Sequence, residues 1–240
     1  MVRTAENSET PLAPSAGSRG SGDPEIKGLL FDLDGTLIDS IPLIVSSLRH
    51  AVKSVLGIAL SDEVLMHNIG KPLIYQLRDF SVEHADELLL VYRKHNAEHH
   101  DGQVKAYPGT AKTLETLSDM GYPLGVVTSK AREGAIRGLE VCGLASYFDV
   151  LVAYEDTTKH KPEPEPLLYA AELLGVPIEQ CVYVGDSEFD MMAAGACNAI
   201  GVAALWGPFP AERILGPGPR YALRSLAELP GVLGEEAVAE

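Results

Sequence analysis

Residues Leu29 to Ser40 read LLFDLDGTLIDS, and this stretch determines how the rest of the chain is interpreted. Its apolar run ends in Asp32 and Asp34, and a Gly-Thr turn follows, so both acids are expected where a buried strand opens into a loop. Two carboxylates so close in sequence repel each other unless they share a proton or a cation. The stretch therefore favours a divalent metal site at a strand end, with an ordinary acidic turn as the alternative.

Three further segments combine an apolar run or a stiff loop with polar residues of a catalytic type. They are YPLGVVTSK at 122–130, KHKPEPEP at 159–166 and CVYVGDSEFD at 181–190. A hydroxyl and free backbone N–H groups after the first run suit phosphate oxygens, and Pro162 keeps Lys161 out of a helix. Taken singly, each segment also reads as a helix cap or a surface loop. Their occurrence together, in this order, indicates one reaction centre.

The order of apolar runs and helical patterns predicts an α/β fold, a Rossmann-like doubly wound parallel sheet with helices on both faces. Predicted strands cover 28–33, 123–128, 149–154, 181–185 and 199–204, and predicted helices cover 110–120, 132–142, 164–174 and 188–197. Ligands in such sheets bind beyond the carboxyl ends of the strands, where Asp32, Thr128 and Asp186 fall. Asn198 stands where a left-handed residue would end the last of these helices.

These motifs resemble those of the haloacid dehalogenase-like hydrolase superfamily, specifically its phosphatases of the phosphoglycolate phosphatase type. The matching segments are DLDGTLIDS, the Thr-Ser pair after an apolar run, Lys-Pro and GDSEFD, and the resemblance spans roughly residues 27 to 230. It implies a Mg²⁺-dependent phosphatase that hydrolyses a small-molecule phosphate monoester through an aspartyl-phosphate intermediate. It leaves phosphoglycolate, a sugar phosphate, a nucleotide, pyrophosphate and a phosphorylated natural product open as substrates.

The resemblance also implies roles for the acidic residues. Asp32 would be the nucleophile, and Asp34 would protonate the leaving oxygen and later activate water. Asp32, Asp186 and the backbone carbonyl of Asp34 would bind the metal, which leaves the Asp34 side chain free. Mg²⁺ is expected rather than zinc because every candidate ligand is an oxygen.

Phosphate binding would fall to Thr128, to the N–H of Ser129 and to Lys161, which brings a positive charge to the phosphate oxygens. Asp190 would lie behind the metal ligands, where it holds a metal-bound water or Lys161 in place.

The segment between Ser40 and Ala106 has no clear strand pattern, and residues 41–56 and 82–100 carry apolar residues at helical spacing. By resemblance this is a small helical cap domain at 41–106, hinged near 39–42 and 102–107, on a core domain formed by 26–40 and 107–232. Lys71 lies in a loop of this cap, where it would contact the leaving group of the substrate and so contribute to substrate selection. A simple turn between two helices is the alternative. Tails are expected at 1–25, which lacks periodic apolar residues, and at 233–240.

Composition narrows the possible partners and the compartment. The net charge of −15 disfavours nucleic acid and anionic membrane surfaces, which need a basic face. No stretch has the length of a membrane span, and the first residues do not form a signal peptide. Cys142, Cys181 and Cys197 are expected as buried free thiols, which suits a cytoplasmic protein.

Several other functions are weighed against the phosphatase. A dehalogenase would not need Asp34, and related sugar phosphomutases usually carry an arginine where Leu73 or its neighbours stand, although the mutase remains the main alternative. A phospho-acceptor receiver module has no room for residues 41–106 after its acidic pair. A zinc site at His95, His99 and His100 is disfavoured against a solvated helix end, because no third ligand accompanies the pair at 95 and 99.

Overall fold

A computed structural model describes residues 25–234 of the protein, so the predicted tail at 1–25, apart from Glu25, and the last six residues lie outside the described part. The eight strands of this part are β1 (Gly28–Phe31), β2 (Ile38–Asp39), β3 (Lys105–Ala106), β4 (Leu124–Val127), β5 (Val150–Val152), β6 (Cys181–Gly185), β7 (Ile200–Ala204) and β8 (Tyr221–Leu223). Its ten α-helices are α1 (Ile41–Leu56), α2 (Asp62–Met66), α3 (Leu73–Phe80), α4 (Ala85–Gln103), α5 (Thr110–Asp119), α6 (Arg132–Val141), α7 (Glu165–Leu174), α8 (Glu188–Cys197), α9 (Ala211–Leu215) and α10 (Leu229–Val232).

Six strands form one parallel sheet in the order β5-β4-β1-β6-β7-β8. The chain moves outward from the central β1 first to one side and then to the other, which is the doubly wound arrangement. Side chains of β1 alternate between two apolar layers: Leu29 and Phe31 pack in one and Leu30 in the other. The predicted fold class is therefore confirmed.

The five predicted strands all occur, as β1, β4, β5, β6 and β7, and each of these lies within its predicted range. The edge strand β8 was missed because three residues are too short to show a period of two. Helix α8 has the predicted bounds, and Asn198 ends it with φ of 61°, so the left-handed residue is confirmed. Leu233 packs in the main core, which corrects its assignment to the C-terminal tail.

The residues between Ser40 and Ala106 are helical, with α1 to α4 as the main elements. At their two ends β2 and β3 pair as a short antiparallel ribbon, which corrects the expectation that this segment has no strand. Apolar side chains of α1, α3 and α4 share a hydrophobic core with Met191 of α8, Ala203 of β7 and Phe209. Within residues 25–234, none of the helices combines the length and apolar character needed to cross a membrane.

Two side-chain expectations need correction. Cys181 and Cys197 are buried free thiols, but Cys142 is only half-buried. His100 is 2% exposed rather than solvated, and it contacts Asp101 through Nδ1 at 3.0 Å.

Candidate active site

The predicted site residues follow strands that are neighbours in the sheet. Asp32 comes directly after β1, Thr128 after β4 and Asp186 after β6, and β1 pairs with both of the other strands. Because all three strands are parallel, their carboxyl ends meet at one edge. The structure therefore brings these three residues to a common edge of the sheet.

Lys161 links two of the buried acids. Its Nζ lies 2.9 Å from Asp32 Oδ1 and 2.6 Å from Asp190 Oδ1, and it donates to the Tyr183 hydroxyl at 2.9 Å. The Tyr183 hydroxyl in turn donates to Asp190 Oδ1 at 2.9 Å. Lys161 is only 3% exposed. Its ammonium group is therefore fixed between the predicted nucleophile and the acid on α8.

Asp190 is held by the start of its own helix. Its Oδ2 accepts hydrogen bonds from the backbone N–H of Ser187 at 2.9 Å and from the Ser187 hydroxyl at 2.5 Å. This reciprocal cap is a common way to satisfy the first N–H groups of a helix. Both oxygens of Asp190 are thus engaged, and Asp190 acts on the site by holding Lys161.

Asp186 has a different environment. Its Oδ1 accepts a hydrogen bond from Thr36 Oγ1 at 2.8 Å, whereas its Oδ2 is buried and has no hydrogen-bond partner among residues 25–234. A Cβ added at Gly35, where φ is +87°, would lie 2.2 Å from that oxygen, and one at Gly207 would lie 2.9 Å from it. Only glycine fits at these two places, because Asp186 Oδ2 packs closely against the main chain of both residues.

Burial and like charges perturb the ionisation of this cluster. Burial raises the pKa of Asp32 to about 7 although Lys161 opposes the shift, and burial with the nearby Asp32 and Asp190 raises the pKa of Asp186 well above its ordinary value. Burial opposes the charge on Lys161, but Asp190 and Asp32 outweigh it and raise the Lys161 pKa. The two perturbed acids gain from a proton or a cation.

The residues present fit a divalent cation. Asp32, Asp186 and Asp190 are the one group of His, Cys, Asp and Glu side chains in the described chain close enough to share a metal, with ligand atoms within 4.8 Å of one another. Since Asp190 is occupied by Lys161 and Ser187, Asp32 and the orphaned oxygen of Asp186 are the available ligands. An all-oxygen set suits Mg²⁺ better than zinc.

The Asp34 side chain is held by a lysine and a serine. Lys130 Nζ lies 2.8 Å from Asp34 Oδ1 and 3.1 Å from Oδ2, and the Ser40 hydroxyl donates to Oδ1 at 2.5 Å. The side chains of Lys130 and Asp34 are 15% and 16% exposed, so this pair borders the solvent more than the Lys161 cluster does.

The Thr-Ser pair after β4 has a hydroxyl without a partner. Thr128 Oγ1 accepts a hydrogen bond from the N–H of Lys130 at 3.2 Å, and the N–H of Thr128 is used in the sheet. Ser129 Oγ is buried and unpaired within the described part of the chain. The Thr128 and Ser129 hydroxyls are therefore available to donate hydrogen bonds to phosphate oxygens.

Comparison with known proteins identifies the family to which this arrangement belongs. The family profile described as haloacid dehalogenase-like hydrolase matches residues 29–204. The chain belongs to the haloacid dehalogenase-like hydrolases. Pyrophosphatase PpaX from Halalkalibacterium halodurans is 38% identical to this hydrolase over 216 residues, which are 89% of this chain and 99% of the relative.

Solved structures of the family share the fold of this hydrolase. A predicted phosphoglycolate phosphatase from Haemophilus somnus 129PT has a TM-score of 0.77 at 26% identity, with 88% of this chain and 99% of that chain covered. A predicted phosphatase from Clostridium acetobutylicum has a TM-score of 0.77 at 28% identity, with 86% and 97% covered.

The segment between α2 and α3 lies against the N-terminus of α8. A Cβ at Gly70 would lie 3.1 Å from Ser187 Oγ and 3.0 Å from the Phe189 ring. Lys71 Nζ donates to Asn68 Oδ1 at 2.8 Å and lies 5.0 Å from the centre of that ring. Lys71 thus lies near the N-terminus of α8, and its ammonium group is hydrogen-bonded to Asn68.

His50, His95 and His99 form a stack of rings that is separate from the acidic cluster of Asp32, Asp186 and Asp190. The His95 ring stacks on those of His50 and His99 at 4.5 and 4.3 Å, and His95 Nδ1 contacts Ser47 Oγ. Burial, His50 and His99 lower the His95 pKa. The stack joins α1 to α4, which is a packing role.

Sequence reasoning missed the residues that support the acids: Thr36, Ser40, Lys130, Tyr183, Ser187, Trp206 and Gly207. Thr36 and Ser40 stood inside the quoted motif, so a search for hydroxyls beside the aspartates could have found them. Trp206 Nε1 donates to the Thr36 carbonyl at 2.9 Å, a contact across 170 residues that no local pattern indicates.

Proposed function

We propose that this hydrolase is a Mg²⁺-dependent phosphatase that hydrolyses a small-molecule phosphate monoester through an aspartyl-phosphate at Asp32. The observation that carries the proposal is the buried cluster of Asp32, Lys161, Asp190 and Asp186, in which three carboxylates face one ammonium group. Such a cluster has a net charge of −2 when fully ionised, which a divalent cation balances.

In the proposed reaction a carboxylate oxygen of Asp32 attacks phosphorus and displaces the leaving oxygen. Lys161, held by Asp190, places its charge beside Asp32, where the phosphate oxygens would arrive. The Thr128 and Ser129 hydroxyls and the Ser129 N–H would hold other phosphate oxygens. Because phosphoryl transfer needs positioning and charge neutralisation above all, these fixed donors supply most of what the step requires.

Asp34 would act as general acid and then as general base. It would give a proton to the leaving oxygen in the first step and take one from the attacking water in the second. Water attack on the phosphorus of the intermediate would release phosphate and restore the Asp32 carboxylate.

Mg²⁺ would be held by Asp32, by Asp186 and by the backbone carbonyl of Asp34. When bound, it supplies positive charge that neutralises the phosphate and keeps Asp32 ionised. The buried and unpaired oxygen of Asp186, which packs against Gly35 and Gly207, supports this assignment.

We assign residues 41–106 as a cap domain over a core formed by 26–40 and 107–232, joined at the β2–β3 ribbon. Arg213 of α9 donates to the His67 carbonyl at 2.6 Å and to Glu188 of α8 at 2.5 Å. These two hydrogen bonds connect the proposed cap to the N-terminus of α8. A cleft of about 570 Å³ lies between α1, α2 and Gly207, and its lining includes Gly207 beside Asp186 but not the side chains of Asp32, Thr128 or Lys161. Lys71 would contact the leaving group once its side chain adopts another rotamer and gives up its hydrogen bond to Asn68.

Pyrophosphate is the second candidate substrate, because the PpaX relative, of which 99% is matched by 89% of this chain, is named a pyrophosphatase. Its leaving group, phosphate, needs less protonation than an alcohol does, so Asp34 would matter less for pyrophosphate. The sugar phosphomutase alternative is disfavoured because Leu73 occupies the position where an arginine would be expected.

The test is phosphate release from a panel of pyrophosphate, phosphoglycolate, sugar phosphates and nucleotides with Mg²⁺, beside EDTA and the Asp32→Asn variant. We expect release that depends on Mg²⁺ and is lost in Asp32→Asn. Release that persists in Asp32→Asn would refute the nucleophile, and no release from any compound, with isomerisation of a sugar phosphate instead, would favour the mutase.

A further inference from the structure

Lys130 makes the closest cationic contact of Asp34. Its Nζ reaches both carboxylate oxygens, at 2.8 and 3.1 Å, and the Ser40 hydroxyl adds a third donor at 2.5 Å. A carboxylate with donors on both oxygens has a fixed side-chain orientation. Asp34 is therefore clamped before any substrate arrives.

Lys130 is itself held at its backbone and along its stem. Its N–H donates to Thr128 Oγ1 at 3.2 Å, and its carbonyl accepts from the N–H of Tyr154 at 3.0 Å. A Cβ at Gly134 would lie 3.2 Å from Lys130 Cε, so the absence of a side chain there leaves room for the lysine stem along α6. The ammonium group is thus directed at Asp34 by its surroundings.

The two lysines of the site have separate partners. Lys161 contacts Asp32 and Asp190, whereas Lys130 contacts Asp34. Ser40 directly precedes α1 and Lys130 lies in the loop after β4, so the clamp on Asp34 joins two segments that are far apart in the chain.

We propose that Lys130 is a positioning residue that, together with Ser40, orients Asp34 toward the leaving oxygen and does not bind the phosphate itself. The inference rests on the proposed function of Asp34 as the general acid. Its consequence is a dependence on the leaving group. An alkoxide must be protonated as it departs, whereas nitrophenolate leaves without a proton, so loss of orientation harms only the first kind of ester.

The experiment measures kcat/KM with Mg²⁺ for an alkyl phosphate and for p-nitrophenyl phosphate, because kcat/KM reports the steps up to release of the first product. The variants are Lys130→Met, Ser40→Ala and Lys130→Met combined with Asp34→Asn, with the exposed Lys112→Met as the matched control. We expect Lys130→Met to lower kcat/KM about 10- to 100-fold for the alkyl ester and less than about threefold for the aryl ester. Ser40→Ala should show the same pattern more weakly.

The double variant tests whether Lys130 acts through Asp34. In the Asp34→Asn background, Lys130→Met should cause no further loss on the alkyl ester, because the group that it orients is already inactive. Equal losses on both esters, or additive losses in the double variant, would overturn the proposal and indicate a direct phosphate contact. If the wild-type protein hydrolyses neither ester, the proposed function fails instead, and the two failures are therefore distinguishable.

Discussion

Neutralising the predicted nucleophile should stabilise the cation-free protein. Asp32 is 5% exposed and shares a buried site with the carboxylates of Asp186 and Asp190, while Lys161 supplies one balancing charge. Asp32→Asn keeps the shape of the side chain and an oxygen that can accept from Lys161. Lys161 also keeps its contact with Asp190 at 2.6 Å, so the substitution does not leave the lysine without an acidic partner.

The pKa of Asp32 sets the size of the effect. An unfolded aspartate loses its proton near pH 4, whereas burial raises the pKa of the folded Asp32 to about 7. Between these pH values the folded state binds more protons than the unfolded state, so the free energy of unfolding falls as the pH rises. A gap of about 3 pKa units corresponds to about 4 kcal/mol at neutral pH. Asp32→Asn removes this cost, so it should raise the free energy of unfolding by about 4 kcal/mol at pH 7 and have little effect near pH 4.

The assay is urea unfolding in EDTA at several pH values between about 4 and 8, followed by the fluorescence of Trp206, the single tryptophan of the chain. Asp119→Asn, at an exposed carboxylate on α5, is the matched control and should unfold like the wild type. The reasoning is refuted if Asp32→Asn and the wild type unfold at the same urea concentration near pH 7. It is also refuted if their difference does not grow with pH.

Four other perturbations test the same site. Mg²⁺ at a hundredfold excess over its Kd should raise the free energy of unfolding by about 2.7 kcal/mol, and Asp186→Asn should abolish this gain in thermal melts; a gain that survives would exclude Asp186 as a ligand. Asp190→Ala breaks a buried ion pair and should cost about 3–5 kcal/mol in urea unfolding, so an unchanged midpoint would contradict the assigned role. Gly207→Ala places a Cβ 2.5 Å from Asp186 Cβ and should weaken Mg²⁺ binding in calorimetry while circular dichroism stays unchanged; unaltered binding would show that the loop can move. Arg213→Ala releases the His67 carbonyl and should raise KM more than it lowers kcat, whereas a fall in kcat alone would place Arg213 in the chemical steps.

The sheet and its polar ends were predictable because their signals are local. The apolar run of β1 ends in Asp32, that of β4 in Thr128 and that of β6 in Asp186, and parallel strands bring their ends to one edge. Asn198 was predictable for the same reason, since its place after α8 matches a common helix ending.

The contacts that give each acid its environment were not predictable in this way. Lys130 and Asp34 are 96 residues apart, and their pairing depends on the twist of the sheet and on which rotamers the packing allows. The short edge strand β8 depends on its pairing with β7 rather than on its own sequence pattern. The sequence therefore indicated which residues could react, and tertiary packing decides which of them are held and by what.

Protons and a divalent cation compete for the same charge in this site. Asp32, Asp186 and Asp190 with Lys161 total −2 when ionised, and the raised pKa values of Asp32 and Asp186 show that burial makes this charge costly. A bound divalent cation would restore neutrality and let both acids ionise, so the proposed nucleophile Asp32 would be more fully anionic when the site is loaded. A second buried lysine would balance the charge equally well, but it would occupy the oxygens that the reaction needs. Asp190 shows the contrast, because its two oxygens accept from Lys161, Tyr183 and Ser187, which leaves Asp32 and Asp186 as the acids available to a cation.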